Sequence, residues 1–233
     1  MNPGYPGEVI LAVDTSLGTA VALIDDDGVR LSDASAADPL GHAEVIGEML
    51  VRALGEAPGG DNPGNDNPGD ESAGDGAPLI GHVVAGMGPG PFTGLRIGIA
   101  AARAFAMGRG IPVVPVPSHS AAALTAIEHD GIVGPFAIVT DARRREVAIT
   151  VFDGTDADGL PIVIADTVLV PRAEADERLG VTRRIDVETL SAVDLARVGA
   201  RAVAAGRVLA GDEPLYLRQP DVRVPGAPKR VGR

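Results

Sequence analysis

The sequence predicts an α/β protein, and two observations lead to that prediction. Short apolar runs rich in Val, Ile and Ala alternate with longer segments in which apolar residues recur every three or four positions. The first pattern is typical of buried β-strands and the second of amphipathic helices. In addition, a strand-turn-strand segment near the amino terminus returns in similar form in the second half of the chain. We therefore expect two related units of mixed sheets flanked by helices.

The first half of the chain predicts a three-stranded meander followed by alternating helices and strands. The expected strands are 8–14, 19–24, 29–34, 79–85 and 112–116, and the expected helices are 41–54 and 93–107. The helix at 41–54 has a wider apolar surface than contact with one sheet requires. Its width alone does not distinguish a neighbouring helix in the chain from a partner protein as the second contact.

The second half contains the repeat. We expect helices at 118–129, 171–179 and 191–206, strands at 136–141, 146–152 and 160–170, and a closing segment at 214–218. The hairpin ending in Asp141 and Asp153 resembles the one ending in Asp14 and Asp25. Chance similarity between two ordinary hairpins is the alternative. A true repeat predicts subdomains at 8–115 and 116–217 facing each other across a cleft, as in actin-like (sugar-kinase-like, ribonuclease H-like) proteins, where such hairpins lie at nucleotide phosphates.

Composition limits the function. The 233 residues are 45% hydrophobic but only 3% aromatic, and they include no cysteine. Disulfides, thiol catalysis and thiolate metal sites are therefore excluded. A net charge of −12 disfavours binding of nucleic acid by the chain alone. With neither a signal-peptide-like start nor an apolar run of membrane-spanning length, the sequence predicts a cytoplasmic protein without membrane contact.

Two segments differ from the rest in composition. Residues 56–78 are acidic, rich in Pro and Gly, and contain no apolar side chain larger than that of Ala. Such a segment cannot bury enough surface to offset its conformational entropy, so we expect a disordered insertion. Residues 218–233 form a basic, proline-rich tail, which is expected to be solvated and disordered, with an RNA-contacting arm as the alternative.

The most distinctive motif is the glycine-rich stretch Gly86–Gly98, between a strand and a helix. Backbone amides at such a position can hold an anion, but the motif has neither the lysine of a P-loop nor the G-x-G-x-x-G spacing of a dinucleotide site. Thr93 is expected to cap the helix, and Gly94 and Gly98 to allow close packing on one helix face. The remaining faces would be free to meet a partner, so the sequence predicts a docking helix.

The sequence gives less support to three catalytic alternatives: a zinc site, a serine nucleophile and an ATP site. The four histidines, at positions 42, 82, 119 and 129, include no pair four residues apart, the spacing with which one helix face binds zinc. No G-x-S-x-G nucleophile motif exists. The segment Asp14–Ser16 resembles the first phosphate turn of actin-like kinases, with Asp141 as its counterpart, but it lacks an early glycine. We predict a vestigial nucleotide turn at Asp14, Thr15, Ser16 and Asp141, with a working ATP site as the alternative.

Several motifs along the chain together resemble those of a known family. GPGPFTGLRIG at 88–98 is similar to the hallmark motif of the TsaB (YeaZ) family, and ILAVDTS at 10–16 is similar to its opening strand. The helix after His42, the segment 141–147 and the ending 214–218 are similar to further family motifs. The chain departs from the pattern at Arg145 and Ala148, where Gly and Tyr are usual, in the extra acidic insertion, and in a shorter region after Val170.

The resemblance implies an actin-like, non-catalytic subunit with no cofactor or metal. Such proteins pair with a catalytic TsaD-like paralogue and a TsaE-like ATPase, and the complex transfers threonylcarbamoyl to N6 of adenosine 37 in ANN-decoding tRNAs. The tRNA would be contacted only through the complex, and homodimerisation through the same helices is open. An actin-like ATP-dependent small-molecule kinase and a glycoprotease-type peptidase are the alternatives. The implied interface comprises His42, Val45, Ile46, Met49, Leu50, Phe92, Thr93, Leu95, Arg96, Ile99 and Arg103.

Overall fold

The computed structural model describes residues 8–36, 41–56 and 79–217. The predicted acidic insertion, apart from Glu56, and the basic tail lie outside these residues. The described residues form two β-sheets with helices packed on them. The fold thus matches the α/β class expected from the sequence.

The first sheet has five strands in the order β3-β2-β1-β4-β5. The strands are β1 (Val9–Asp14), β2 (Thr19–Ile24), β3 (Arg30–Ala36), β4 (Ile80–Gly86) and β5 (Val113–Val116). The first three form an antiparallel meander, and β4 and β5 run parallel to β1. Every residue of β1 and β2 is buried. Helices cover both faces of these strands, which explains why their apolar residues run continuously instead of alternating.

The second sheet repeats the order of the first four strands. It consists of β6 (Pro135–Asp141), β7 (Glu146–Thr155), β8 (Pro161–Pro171) and β9 (Arg183–Asp186), in the order β8-β7-β6-β9. Its pairings are again antiparallel within the meander and parallel between the first and fourth strands. The two similar hairpins therefore belong to a repeated topology, which confirms the expected duplicated, actin-like arrangement. Strand β9 was not predicted, because its four residues (RRID) show no apolar run.

The helices are distributed over both faces of the first sheet. Helices α1 (His42–Glu56) and α2 (Phe92–Arg109) pack on one face, and α5 (Ala192–Ala204) packs on the other. Helix α3 (Ser118–Glu128) contributes to the cores of both sheets, and the short α4 (Ala175–Leu179) follows a 3-10 turn on the second sheet. The division into 8–115 and 116–217 stays a prediction, and α5, from the later range, packs on the earlier sheet.

A buried histidine fixes α3 to the second sheet. The His119 ring nitrogens form hydrogen bonds of 2.7 Å with Thr150 Oγ1 and 2.9 Å with Thr140 Oγ1, and Thr150 is in turn bonded to Thr167. Burial lowers the pKa of His119 to about 3. The ring is therefore neutral at physiological pH and joins a helix to two strands of the sheet. We assign it a structural role.

Candidate docking surface and the closed nucleotide turn

The predicted nucleotide turn begins at Asp14, which is buried where β1 ends. Its Oδ1 accepts a hydrogen bond of 2.7 Å from the Ser16 amide, and its Oδ2 accepts one of 2.5 Å from Ser118 Oγ. Ser118 Oγ also accepts a hydrogen bond from the Gly88 amide, at 3.0 Å. Burial raises the pKa of the Asp14 carboxyl, although the hydrogen bonds from Ser118 and Ser16 act in the opposite direction. Both carboxylate oxygens thus have partners within the chain.

The glycine-rich motif packs directly on this turn. A Cβ at Gly86 would overlap Asp14 Oδ2, and one at Gly90 would lie 2.8 Å from the Cα of Ser16. A Cβ at Gly98 would overlap Thr15 Oγ1, and that hydroxyl donates a hydrogen bond of 2.8 Å to the Gly94 carbonyl. The glycines therefore allow close contact between α2, the loop before it and residues 14–16. The backbone segment that approaches these glycines closely, as predicted, is residues 14–16.

Asp141, the expected counterpart of Asp14, has different surroundings. Its exposed carboxylate accepts hydrogen bonds of 2.6 Å from Arg172 Nη2 and 3.2 Å from the Arg143 amide. Asp14 is buried among serines, whereas Asp141 belongs to an exposed ion pair on the second sheet. The two acids therefore have separate partners, although they occupy equivalent positions in the repeat.

The predicted cap of the docking helix is wrong. Helix α2 begins at Phe92 after Pro91, and no side chain caps its amino terminus. Thr93 is exposed in the first turn, two residues after the cap position at Pro91. Its predicted role as an interface residue is therefore supported by its exposure and not by capping.

Several predicted interface residues are buried in the chain's own core. His42, Ile46, Met49, Leu95 and Ile99 are each at most 8% exposed. All except His42 belong to the core cluster beneath α1 and α2. His42 Nδ1 forms a hydrogen bond of 2.8 Å with Thr19 Oγ1, and a Cβ at Gly94 would lie 2.9 Å from its Nε2. Little of these five side chains is left at the surface of the chain, and their place in a partner interface stays a prediction.

The other predicted interface residues lie at or near the surface. Phe92, Thr93, Arg96 and Arg103 are exposed, and Val45 and Leu50 are half-buried. The structure adds two exposed apolar side chains that sequence reasoning missed, Ala100 and Met107 on α2. Val51 on α1, which belongs to the wide apolar surface predicted for that helix, is exposed as well. We call this set the α1–α2 surface; it consists of Val45, Leu50, Val51, Phe92, Thr93, Arg96, Ala100, Arg103 and Met107. The i, i+3/i+4 spacing of 93, 96, 100, 103 and 107 was a signal that could have found its α2 part.

The end of the described chain folds against this surface. The Tyr216 and Phe92 rings lie 4.7 Å apart, and the Arg96 guanidinium lies 3.9 Å from the Phe92 ring centre. Arg96 Nε donates a hydrogen bond of 2.8 Å to Tyr216 Oη, and Arg103 donates one to the Asp212 carbonyl. These contacts fix the side chains of both arginines, so a partner that binds this surface would not have to order them.

The described part of the chain also bears on metal binding and on membrane crossing. There, no group of three or more His, Cys, Asp or Glu side chains is close enough together to hold a metal ion. Within the same residues, no helix is both long and apolar enough to cross a membrane.

The comparisons with known proteins give this architecture a family. The family model described as "TsaD: tRNA N6-adenosine threonylcarbamoyltransferase" matches residues 72–165. An uncharacterized protein of Mycobacterium tuberculosis is 33% identical, over 92% of this chain and 93% of its own length. The tRNA threonylcarbamoyladenosine biosynthesis protein TsaB of Bacillus subtilis is 35% identical over 68 residues, 29% of this chain and 28% of its own.

Solved structures show the same fold. YeaZ from Pseudomonas aeruginosa superposes with a TM-score of 0.66 at 22% identity, covering 90% of this chain and all of that chain. A second P. aeruginosa structure, described as similar to peptidase YEAZ, superposes with a TM-score of 0.68 at 23% identity, over 91% of this chain and all of its own.

The fold is a duplicated, actin-like one, and the chain's own glycine-rich motif covers residues 14–16, where the sequence predicts a vestigial nucleotide turn. The chain belongs to the same family as the mycobacterial protein, and it is TsaB (YeaZ)-like.

Proposed function

We propose that this chain is a non-catalytic partner subunit of an assembly that attaches threonylcarbamoyl to N6 of adenosine 37 in ANN-decoding tRNAs. The observation that carries the proposal is the α1–α2 surface, which presents an aromatic ring, two ordered arginines and exposed apolar side chains on adjacent helices. Buried aromatic and arginine anchors dominate protein interfaces. The TsaB relationship supplies the kind of assembly.

The absence of a catalytic role is supported by the closed turn at Asp14. In a working phosphate turn the backbone and carboxylate face a ligand, whereas here Asp14 and Thr15 are bonded to Ser118 and Gly94 of the same chain. The glycines that would let a phosphate approach instead pack on the turn. This arrangement favours a structural role for the turn over an ATP-dependent kinase.

The occupant of the α1–α2 surface is, in this proposal, a TsaD-like paralogue. A paralogue with the same duplicated fold would present an equivalent helix pair, so a bundle of helices from both chains could form. A second copy of this chain would compete for the same surface, a TsaE-like ATPase would join the assembly elsewhere, and tRNA would be bound through the complex in the cytoplasm.

Co-purification with the TsaD-like paralogue tests this proposal. Val51→Asp and Met107→Asp place a charge on side chains that are 58% and 82% exposed, so the chain should still fold. Each should weaken binding of the paralogue by at least about tenfold, since a charge would be desolvated in the interface. Val133→Asp, at a 92% exposed position away from α1 and α2, is the matched control.

Normal co-purification of both variants would refute the proposed surface, and no complex with the wild-type chain would refute the proposed function. Calorimetry with ATP on the purified chain addresses the kinase alternative. We expect no binding at micromolar ATP; tight binding that Asp14→Ala abolishes would favour the kinase.

A further inference from the structure

The turn between β6 and β7 has an unusual backbone. Three consecutive arginines, Arg143, Arg144 and Arg145, have φ values of 62°, 53° and 65°. Residues with a Cβ rarely adopt this left-handed region, and each one does so at a cost in free energy. All three are exposed, so no burial of their side chains offsets that cost.

Hydrogen bonds hold this turn in its strained form. The Ala142 amide donates to the Glu146 carbonyl at 3.0 Å, and the Glu146 amide donates to the Arg143 carbonyl at 3.0 Å. The Arg172 amide, just past the end of β8, donates to the Arg145 carbonyl at 2.7 Å. The turn is therefore a defined part of the second sheet, and Arg172 lies beside it.

The charge of the turn differs from that of the chain. Arg143, Arg144, Arg145 and Arg172, which we call the arginine tip, share this turn with two acids: Asp141, which pairs with Arg172, and Glu146, the next residue along the chain. Positive charge thus exceeds negative charge here, although the whole chain carries −12. Glycine would adopt the same backbone without strain. Strained residues cluster at functional sites, which points to a role for these side chains.

The chemistry of the tip selects its ligand. Arginine guanidinium groups bind phosphate oxygens through paired, charge-assisted hydrogen bonds. A protein partner would instead require an apolar centre, and the turn residues 142–145 offer only one half-buried alanine besides the arginines. We propose that the arginine tip binds the phosphate backbone of RNA. This inference rests on the proposed function, in which that RNA is the substrate tRNA. It departs from that proposal in one respect, because it gives this chain a direct contact with tRNA that does not require the rest of the complex.

Binding of a fluorescent tRNA transcript to the full-length chain at about 50 mM salt tests the inference, since phosphate contacts are strongest at low ionic strength. Replacing Arg143, Arg144 and Arg145 together by Asn removes the charge while keeping residues that tolerate left-handed backbone. We expect affinity to fall by at least about tenfold, and the dependence of log K on log salt to become shallower by about 2 to 3. The triple Lys variant should keep most of the affinity.

The matched control removes the same charge elsewhere, through Gln at the exposed Arg30, Arg109 and Arg183. Equal losses in the control and the Asn variant, tRNA affinity unchanged by Asn, or no binding by the wild-type chain would overturn the inference. Arginine-dependent binding of polyglutamate in preference to tRNA would overturn it in favour of an acidic protein partner. Because this assay uses the chain alone, its result is independent of co-purification with the paralogue, and the two proposals can fail separately.

Discussion

Replacing Gly98 by Ala would test whether the glycine-rich motif exists for close packing. A Cβ at Gly98 would overlap Thr15 Oγ1 and lie 2.8 Å from Thr15 Cγ2. Gly108, in the same helix α2, has no atom within 4 Å of the equivalent position. The two substitutions therefore change the same residue type in the same helix and differ in what the new methyl group meets.

The expected effects have opposite signs. Ala in place of an exposed helical Gly stabilises by up to about 1 kcal/mol, which is the expected change for Gly108→Ala. At Gly98 the same gain is opposed by overpacking, which costs about 1–3 kcal/mol. Displacing Thr15 would also weaken its hydrogen bond to the Gly94 carbonyl, at a cost of about 1 kcal/mol. We therefore expect Gly98→Ala to lower the free energy of unfolding by roughly 1–3 kcal/mol.

Urea denaturation of the purified chains measures both changes by linear extrapolation. A second measurement in a Thr15→Ala background removes the atoms nearest to the new methyl group, so Gly98→Ala should cost less there. If Gly98→Ala is as stabilising as Gly108→Ala, or if its cost does not depend on Thr15, the close-packing explanation is wrong.

Two further predictions concern buried polar groups. His119 has a folded-state pKa of about 3 against an ordinary value of 6.5, so below pH 6.5 the unfolded chain binds the extra proton. The free energy of unfolding should then fall by up to about 1.4 kcal/mol per pH unit as pH drops from 6.5 towards 3. The raised pKa of Asp14 changes the free energy of unfolding in the opposite direction. The test is therefore urea denaturation of wild-type and His119→Gln chains at pH 7 and pH 5, with the wild-type chain expected to lose more stability between the two pH values. Equal losses of stability in both chains would contradict the role of His119. Ser118→Ala removes a donor to Asp14 and an acceptor for the Gly88 amide. It should cost about 1–3 kcal/mol in the same assay, and an unchanged midpoint would show that Asp14 does not depend on Ser118.

The sequence by itself determined most of the secondary structure and the repeat. Strands such as Thr19–Ile24 could be predicted because their apolar runs are continuous, and helices such as Ser118–Glu128 because small and apolar residues fill their turns. The Asp-ended hairpins predicted the duplication, since a buried strand ending in Asp, a polar turn, an apolar return strand and a closing Asp recur in the residue pattern. The glycine-rich motif also predicted close packing in place of a phosphate site.

Only the tertiary structure decided what each surface contacts. Helical spacing groups Leu95 and Ile99 on one face, but it does not say whether that face meets a sheet or a partner, and here it meets the sheet. The Asp14–Ser118 hydrogen bond joins residues more than a hundred positions apart, and no local pattern encodes it. The left-handed backbone of Arg143–Arg145 is likewise joined to a distant part of the chain, through the hydrogen bond from the Arg172 amide to the Arg145 carbonyl. Local sequence determines periodicity and turn preference, whereas burial and polar pairing depend on contacts between segments that come together only when the chain folds.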